Sequence, residues 1–546
     1  MTRTIYGCAS VNATARKHPG HEVVFVKMEG PAPPPYTPKA PQGHRYPSQY
    51  RQMVKKVAVG LSVVALLAVT VLNPSESSGI DQQRIRQHLE SLYAIAGNNS
   101  NSRAVALGHR ESADYVYNVL ESHGACDALE TQWFDTPVYT EKRPPRLSMS
   151  YPTWIAFRPG LDFQGMRYGG NSSTYLPSRN VYPVNGGGCR SYQYGPSTKG
   201  NVAVIQITKL CSLFEAAYTA QRAGVAAVLF YGSPNQRTLP NGRIRQTEWQ
   251  AGDPSVSIPV LAVSYPIGRM LAGITDARIN LVVANEIAVV PTYNVLCAWE
   301  APLVNDTIVV GSHLAGPGIN DNGSGSASTL EIILALRRSK FRPAHRLVFA
   351  WWSAEEDGLL GSQYFARTLY DATASTNTTT VTTDAYTVAT PLKMALTWPQ
   401  IYLYLNFDML ASPNYIAMIH RGEDAPGDLT IGSTLIQQAF ESFFRQRQYP
   451  YALTRMTAGS DFVPFLQRGV PAGGILTGAG EIKTPDQRAR FGGLANAPLD
   501  PCYHQACDTL DNVNWEALYR MSEAAAHVVR YAASEDDGKG GTEVEV

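Results

Sequence analysis

The stretch Trp351-Trp352-Ser353-Ala354-Glu355-Glu356-Asp357-Gly358 follows a short apolar run, residues 346–350, and places two adjacent carboxylates at its end. An apolar run of this length, bounded by glycine, is typical of a buried β-strand. Two carboxylates at the end of a strand can divide the work of a site, because one binds a cation while the other moves protons. Acidic pairs are also common as solvated turn residues, so the pair alone leaves both interpretations open.

Four further side chains of similar chemistry follow apolar runs or lie in loops fixed by Gly or Cys: His313, Asp321, Asp408 and His504. In an open α/β sheet the carboxyl ends of the strands form the ligand-binding edge. Mixed His and carboxylate ligands without thiolates suit a catalytic zinc site. Two imidazoles and three carboxylates exceed what one open zinc site needs. A carboxylate that bridges two metal ions accounts for the surplus.

These motifs resemble the di-zinc aminopeptidases of clan MH, especially the fungal vacuolar and bacterial secreted forms. The matching motifs are Gly316-Pro-Gly-Ile-Asn-Asp-Asn-Gly-Ser-Gly325, Phe349-Ala-Trp-Trp-Ser-Ala-Glu-Glu356, Tyr404-Leu-Asn-Phe-Asp-Met409, Ser460-Asp-Phe462, Gly469-Val-Pro-Ala-Gly-Gly474 and Asp500-Pro-Cys-Tyr-His504. Their number and order make the resemblance specific. It implies an α/β fold of the zinc exopeptidase type, with a mostly parallel sheet flanked by helices. The alternation of apolar strands and helical spans after residue 291 favours the same architecture.

The resemblance also implies a role for each site residue and a cofactor requirement of two Zn²⁺ per chain. His313 and Asp408 would hold one zinc ion, and Glu356 and His504 would hold the other. Asp321 would bridge the two ions. Glu355 would be the general base, and Tyr503 would donate a hydrogen bond to the tetrahedral intermediate. The implied reaction removes N-terminal residues from peptides that have a free N-terminus.

The sequence departs from the family pattern next to the first ligand. Family members usually have His-x-Asp there, whereas this chain has His313-Leu314-Ala315, and the segment that leads to Asp321 is shorter than usual. Loss of such a supporting residue typically costs 10–100-fold in metal affinity or activity. All five ligands and Glu355 are present, which favours an active enzyme. The alternatives are a catalytically impaired binding or receptor-like ectodomain on the same scaffold, and a gene sequence that lacks a few codons.

The N-terminal region indicates export. Lys55 and Lys56 precede residues 57–72, a stretch without charged residues whose length lies between that of a signal-peptide core and that of a membrane-spanning helix. Initiation at Met53 would make it a secretory signal. Initiation at Met1 would make it a signal anchor in the membrane, preceded by a disordered tail, residues 1–56. The body of the chain is then secreted, delivered to a vacuolar or lysosomal lumen, or held as a type II membrane protein.

Cysteines and glycosylation motifs agree with export. Cys502 and Cys507 bracket His504 and would fix its loop as a disulfide, and Cys189 and Cys211 are a second plausible pair. A third pairing, Cys126 with Cys297, is also open. Zinc thiolate sites are disfavoured because the chain has no C-x-x-C pair. Asn-x-Ser/Thr motifs at Asn98, Asn171, Asn305 and Asn377 predict a glycoprotein.

The chain divides into segments of different character. Residues 76–164 and 291–535 are predicted to form the peptidase domain. Residues 165–290 contain short β-like runs and resemble an inserted, β-rich α/β protease-associated domain, whose role would be to shape access to the site or to add stability. Residues 536–546 are predicted to be a disordered tail. A net charge of +1 gives no field that would attract nucleic acid.

Overall fold

The computed structural model describes residues 79–171, 175–236, 238–375, 394–456 and 459–534. The predicted N-terminal tail (1–56), the predicted signal or anchor (57–72) and the predicted C-terminal tail (536–546) lie outside the described residues. Among the helices that the structure describes, none combines the length and the apolar character needed to cross a bilayer.

The described chain alternates strands and helices. The strands are β1 (Ala128–Tyr151), β2 (Ile155–Ala156), β3 (Phe163–Gly165), β4 (Leu176–Val184), β5 (Val202–Gln206), β6 (Ala227–Tyr231), β7 (Val260–Val263), β8 (Arg278–Trp299), β9 (Leu303–His313), β10 (His345–Trp352), β11 (Ile401–Phe407), β12 (Met418–His420), β13 (Ala452–Thr454) and β14 (Ala472–Leu476). The α-helices are α1 (Gln82–Asn98), α2 (His109–Ser122), α3 (Leu213–Arg222), α4 (Tyr265–Gly273), α5 (Gly325–Arg338), α6 (Leu360–Ser375), α7 (Leu429–Gln446), α8 (Val463–Gln467), α9 (Pro485–Phe491) and α10 (Trp515–Ala533).

The sheet of the predicted peptidase domain has the strand order β13-β12-β14-β11-β9-β10-β8, and its centre is parallel. Val310 of β9 is level with Leu405 of β11 on one side and with Phe349 of β10 on the other. These central strands are buried on both faces, as parallel strands with helices on either side must be. The register brings the carboxyl ends of β9, β10 and β11 to one edge, where the predicted site residues follow.

Two apolar cores cover the faces of this sheet. Side chains of β10 point alternately to opposite faces, so Trp351 joins the core formed with α1, α2, α5, α7 and α10, whereas Trp352 joins the core formed with α6 and α8. Both indoles are fully buried. They therefore fix the end of β10 from both sides, immediately before the two glutamates.

A long antiparallel ribbon connects this sheet to the inserted domain. β1 pairs with β8 from Ala128 opposite Ala298 to Tyr151 opposite Arg278. At one end β8 pairs with β10, and at the other it pairs with β4, where the parallel strands β4, β5, β6 and β7 begin. The prediction of an α/β fold with an inserted α/β domain is confirmed. Leu147 and Met149 of β1 pack in the insert's core, so that core takes in residues before the predicted boundary at 165.

Three disulfides brace the described chain. Cys126 is joined to Cys297 of β8, Cys189 to Cys211 within the insert, and Cys502 to Cys507 around His504. Disulfides of this number are typical of proteins that fold in an oxidising compartment.

We predict a pH-dependent contribution to stability from His109, the first residue of α2. It is 1% exposed, and its Nε2 lies 3.1 Å from the carbonyl oxygen of Tyr293. Burial lowers the pKa of His109 to about 4, against 6.5 for an unperturbed histidine. Between pH 4 and 6.5 the unfolded chain therefore binds more protons at this residue than the folded protein does. The free energy of unfolding should fall as the pH drops through this window, by at most about 1.4 kcal/mol per pH unit for this residue.

The prediction is tested by measuring the free energy of unfolding of the unsubstituted protein and of His109→Gln. Both are unfolded in urea as metal-free protein between pH 7.5 and 4. The variant should show a shallower loss of stability below pH 6.5 than the unsubstituted protein. His123→Gln is the matched control, because His123 is exposed and directly follows the same helix. Equal slopes for His109→Gln and the unsubstituted protein would contradict the prediction.

Candidate metal centre

The strand ends place the predicted site residues at one edge of the sheet. His313 is the last residue of β9, Glu355 and Glu356 follow β10, and Asp408 follows β11 directly. Asp321 lies in the turn Asn320–Ser324, which leads into α5. His504 approaches from a separate loop that the Cys502–Cys507 disulfide closes.

Asp321 lies between the two histidines. Its Oδ1 is 3.3 Å from Nε2 of His313, and its Oδ2 is 3.1 Å from Nε2 of His504. The His313 nitrogen is also 3.2 Å from Oδ1 of Asp408, and the His504 nitrogen is 3.2 Å from Oε1 of Glu356. Two three-residue groups result, His313 with Asp321 and Asp408, and Asp321 with Glu356 and His504. The candidate ligand atoms within each group lie within 4.8 Å of one another.

The donor set fits zinc. It consists of imidazole nitrogens and carboxylate oxygens, which are zinc ligands in catalytic sites. Nδ1 of His313 lies 3.0 Å from the carbonyl oxygen of Ala315. When Nδ1 donates to that carbonyl, the Nε2 lone pair is directed toward the two aspartates. The backbone of Ala315 thus supports the ring where family members usually have an aspartate.

Carboxyl groups are crowded together at this edge, and their ionisation is perturbed. Burial raises the pKa of Glu355 well above its usual range and raises that of Asp461 to about 7. Although burial opposes it, hydrogen bonds with Asp321 and Glu356 raise the pKa of His504 to about 10. Cations are thus strongly favoured next to the carboxylates, which is the electrostatic condition for binding divalent metal ions.

Arg103, which the sequence analysis did not identify, lies beneath the segment between His313 and Asp321. Its guanidinium donates to the carbonyl oxygens of Leu314 and Gly318, and its backbone N–H donates to the carbonyl oxygen of Gly316 at 3.0 Å. The side chain is fully buried. Burial lowers its pKa to about 10, so the group stays charged at neutral pH. The segment between His313 and Asp321, which is shorter than in the family pattern, therefore wraps around a buried guanidinium.

Asp508 supports the same turn from the other side and was also missed. Its Oδ1 accepts a hydrogen bond from the backbone N–H of Asn320 at 2.9 Å, and its Oδ2 accepts one from that of Asp321 at 3.0 Å. A Cβ atom on Gly318 would lie 1.9 Å from Oδ2 of Asp508, so this close approach requires glycine. Asp508 follows Cys507, and the loop that carries His504 thus also holds the backbone of Asp321.

A hydrogen-bond chain reaches Asp408. The hydroxyl of Tyr404 donates to Oδ1 of Asn406 at 2.9 Å, Nδ2 of Asn406 donates to Oγ of Ser460 at 2.8 Å, and that hydroxyl donates to Oδ2 of Asp408 at 2.7 Å. Asp408 is therefore left with Oδ1 directed at His313. The neighbouring Asp461 is fully buried, and its Oδ2 has no hydrogen-bond partner among the described residues.

Tyr503 stacks on the ring of His504, with the ring centroids 3.8 Å apart and the planes 27° from parallel. Burial raises the pKa of its hydroxyl above the usual value, so the group stays protonated and available as a donor at neutral pH.

Comparison with known proteins identifies the family and the inserted domain. Residues 294–529 match the family "Peptidase family M28", and residues 178–271 match the PA domain. An aminopeptidase from Pseudomonas aeruginosa is 31% identical over 83% of this chain and 81% of its own length. A probable leucine aminopeptidase 2 from Aspergillus fumigatus is 32% identical over 82% of this chain and 83% of its own length.

Solved structures show the same fold at lower identity. An aminopeptidase from Aneurinibacillus sp. strain AM-1 superposes with a TM-score of 0.61 at 20% identity, over 83% of this chain and 94% of that one. A zinc aminopeptidase from Bacillus subtilis has a TM-score of 0.51 at 18% identity, over 84% of this chain and 97% of that one.

The matches together define a peptidase hydrolase, and they confirm the resemblance to the aminopeptidase family that the motifs indicated. The chain belongs to peptidase family M28 and carries an inserted PA domain.

We predict that Arg103→Lys weakens metal binding. Lysine keeps the positive charge but cannot donate to both the Leu314 and Gly318 carbonyls through a planar fork. The turn that carries Asp321 should then lose part of its support, and zinc affinity should fall roughly 10–100-fold, as is usual when a ligand's supporting partner is removed.

Zinc affinity is measured by competition with a chromophoric chelator, with the melting temperature recorded for each protein. Arg86→Lys, on the exposed face of α1, is the control. A folded Arg103→Lys protein that binds zinc as tightly as the control would refute this role for Arg103.

Proposed function

We propose that this protein is a di-zinc aminopeptidase. The observation that carries the proposal is the position of Asp321, whose two oxygens face Nε2 of His313 and Nε2 of His504. One zinc ion would be held by His313 and Asp408, the other by Glu356 and His504, and Asp321 would be shared. A single ion would leave one of the two residue groups unused.

Glu355 is the proposed general base. It is 8% exposed and precedes the ligand Glu356 at the end of β10. When bound, zinc lowers the pKa of water to near 7 and polarises the scissile carbonyl. Glu355 accepts the proton of the attacking water and delivers it to the leaving amine, which completes hydrolysis of the peptide bond.

Tyr503 is the proposed donor to the carbonyl oxygen as negative charge develops there. Its hydroxyl stays protonated because burial raises its pKa, and its ring is held against His504. Loss of one such donor typically lowers kcat 10²–10³-fold.

The carboxylates also support a preference for peptides with a free N-terminus. A free α-amine is a cation or a metal ligand, whereas a blocked one is neither, so the negative charge around Asp321 and Glu356 favours unblocked substrates. The relatives' names indicate aminopeptidase activity for those proteins, and we infer the same reaction class here.

We also propose that the enzyme works outside the reducing cytosol. The three disulfides support export, because such bonds persist in oxidising compartments. Residues 57–72 would act either as a cleaved signal or as a membrane anchor. N-terminal sequencing of the secreted or membrane-bound protein distinguishes the two.

Glu355→Gln tests the proposed mechanism. The substitution keeps the shape and removes the base, so kcat on leucine and other aminoacyl chromogenic amides should fall 10²–10⁴-fold, the usual contribution of general acid–base catalysis. The variant should still bind two zinc ions per chain, as measured by metal analysis.

The unsubstituted protein, loaded with zinc, should hydrolyse these amides and lose activity when a chelator removes the metal. Folded protein that binds zinc but turns over no aminoacyl amide would instead favour a binding or receptor-like ectodomain. Full activity in Glu355→Gln would exclude Glu355 as the base.

A further inference from the structure

The inserted domain contacts the segment that carries the two glutamates. Nη2 of Arg243 donates to the carbonyl oxygen of Glu356 at 2.5 Å, and Nη1 of Arg167 donates to the same carbonyl at 3.4 Å. Nη2 of Arg245 donates to the carbonyl oxygen of Asp357. Three arginines of the inserted domain therefore hold two consecutive peptide groups of the peptidase domain. We name Arg167, Arg243 and Arg245 the arginine clamp.

The side chain of Asp357 completes the contact. Its Oδ1 accepts hydrogen bonds from Nη2 of Arg167 and from the hydroxyl of Tyr168, both at 2.7 Å. Tyr168 is buried, and the guanidinium of Arg245 lies over its ring, 5.3 Å from the centroid. The clamp and Asp357 thus form one interlocked set, and charge-assisted bonds of this kind are stronger than neutral ones.

The clamp is presented by the core of the insert. Met166 and Ile244, the neighbours of the arginines in sequence, are 2% and 1% exposed within that core. Arg167 and Arg243 lie side by side in a parallel bridge, and the N–H of Ile244 donates to the carbonyl oxygen of Arg167 at 2.8 Å. The two clamp segments are therefore fixed to each other and to the insert.

The segment that the clamp holds has an unfavourable backbone conformation. Ala354 and Leu359 have φ angles of 52° and 62°, a region that residues with side chains rarely adopt. Gly358, with φ of 112°, lets Arg245 approach, because a Cβ atom there would lie 2.2 Å from its Nη2. Backbone strain of this kind persists only where the surroundings impose it.

Attachment of the insert does not account for these contacts. The β1–β8 ribbon already joins the two domains along its whole length. The arginines instead meet the chain at Glu356 and Asp357, next to the base and within the metal-ligand segment. Contacts at Glu356 and Asp357 therefore restrict where the two glutamates can lie.

We propose that the insert is part of the catalytic apparatus, and that the arginine clamp and Asp357 are positioning residues that hold Glu355 and Glu356 in their working geometry. The inference rests on the proposed roles of these two glutamates. Loss of the clamp should therefore lower kcat, and it should weaken the zinc ion that Glu356 would ligate.

The test uses Arg167→Gln/Arg243→Gln, in which both replaced side chains are solvent-accessible, so folding should survive. Asp357→Asn is a second, independent variant that removes the charge from the contact. Arg269→Gln is the matched control, because Arg269 is an exposed arginine on α4 of the same insert. Each protein is compared by zinc competition, by kcat and KM on aminoacyl amides, and by melting temperature.

We expect affinity for one of two zinc ions to fall roughly 10–100-fold in both variants. At saturating zinc, kcat should drop at least about tenfold with little change in KM, because the substitutions weaken an interaction that stabilises the transition state. The control should match the unsubstituted protein. Unchanged zinc affinity and kcat in both variants would overturn the proposal, and in that case Glu355→Gln still tests the proposed function separately.

Hydrogen exchange on metal-free protein gives a readout that does not depend on zinc or on activity. The N–H groups of Gly358 and Leu359 donate to the carbonyl oxygen of Glu355 at 2.6 and 2.7 Å. Peptides that span residues 354–360 should exchange faster in Arg167→Gln/Arg243→Gln than in Arg269→Gln. Equal exchange would show that the clamp does not hold this segment, whatever reaction the site performs.

Discussion

The structure depends on one electrostatic constraint, which is the burial of several carboxylates around two histidines at the end of a parallel sheet. Asp321 is 3% exposed and faces an imidazole with each of its oxygens. Carboxylates so close together repel one another unless cations lie between them. The fold makes this arrangement possible because β9, β10 and β11 end at one edge, and two divalent ions at that edge would supply the missing positive charge.

Support for this arrangement comes from three directions. Arg103 fixes the backbone between His313 and Asp321 from below, and Asp508 fixes it from the His504 loop. The arginine clamp reaches the glutamates from the insert. Each support acts on the backbone next to a candidate ligand, so the geometry of the centre depends on parts of the chain that are distant in sequence. In place of the usual aspartate, the carbonyl oxygen of Ala315 lies 3.0 Å from Nδ1 of His313, and Arg103 holds the backbone on either side of Ala315.

The sequence predicts the fold class and the candidate ligands because both follow from local patterns. Apolar runs locate β9, β10 and β11. His313 is the last residue of β9, Glu356 lies four residues beyond the end of β10, and Asp408 directly follows β11. Arg103 could not be predicted, since its guanidinium meets a segment 211 residues away and no motif surrounds it. The same holds for Arg243, which contacts a carbonyl 113 residues away. The continuous β1–β8 ribbon was also missed, because a register between distant strands leaves no local signal.

The most direct test of this account is anomalous diffraction at the zinc absorption edge from crystals of the zinc-loaded protein. We predict two peaks about 3.5–4 Å apart, as in other two-metal sites. One should lie between His313 and Asp408, the other between Glu356 and His504, with one oxygen of Asp321 directed at each. A single peak, or two peaks of which only one contacts Asp321, would contradict the shared-carboxylate centre on which the proposed chemistry rests.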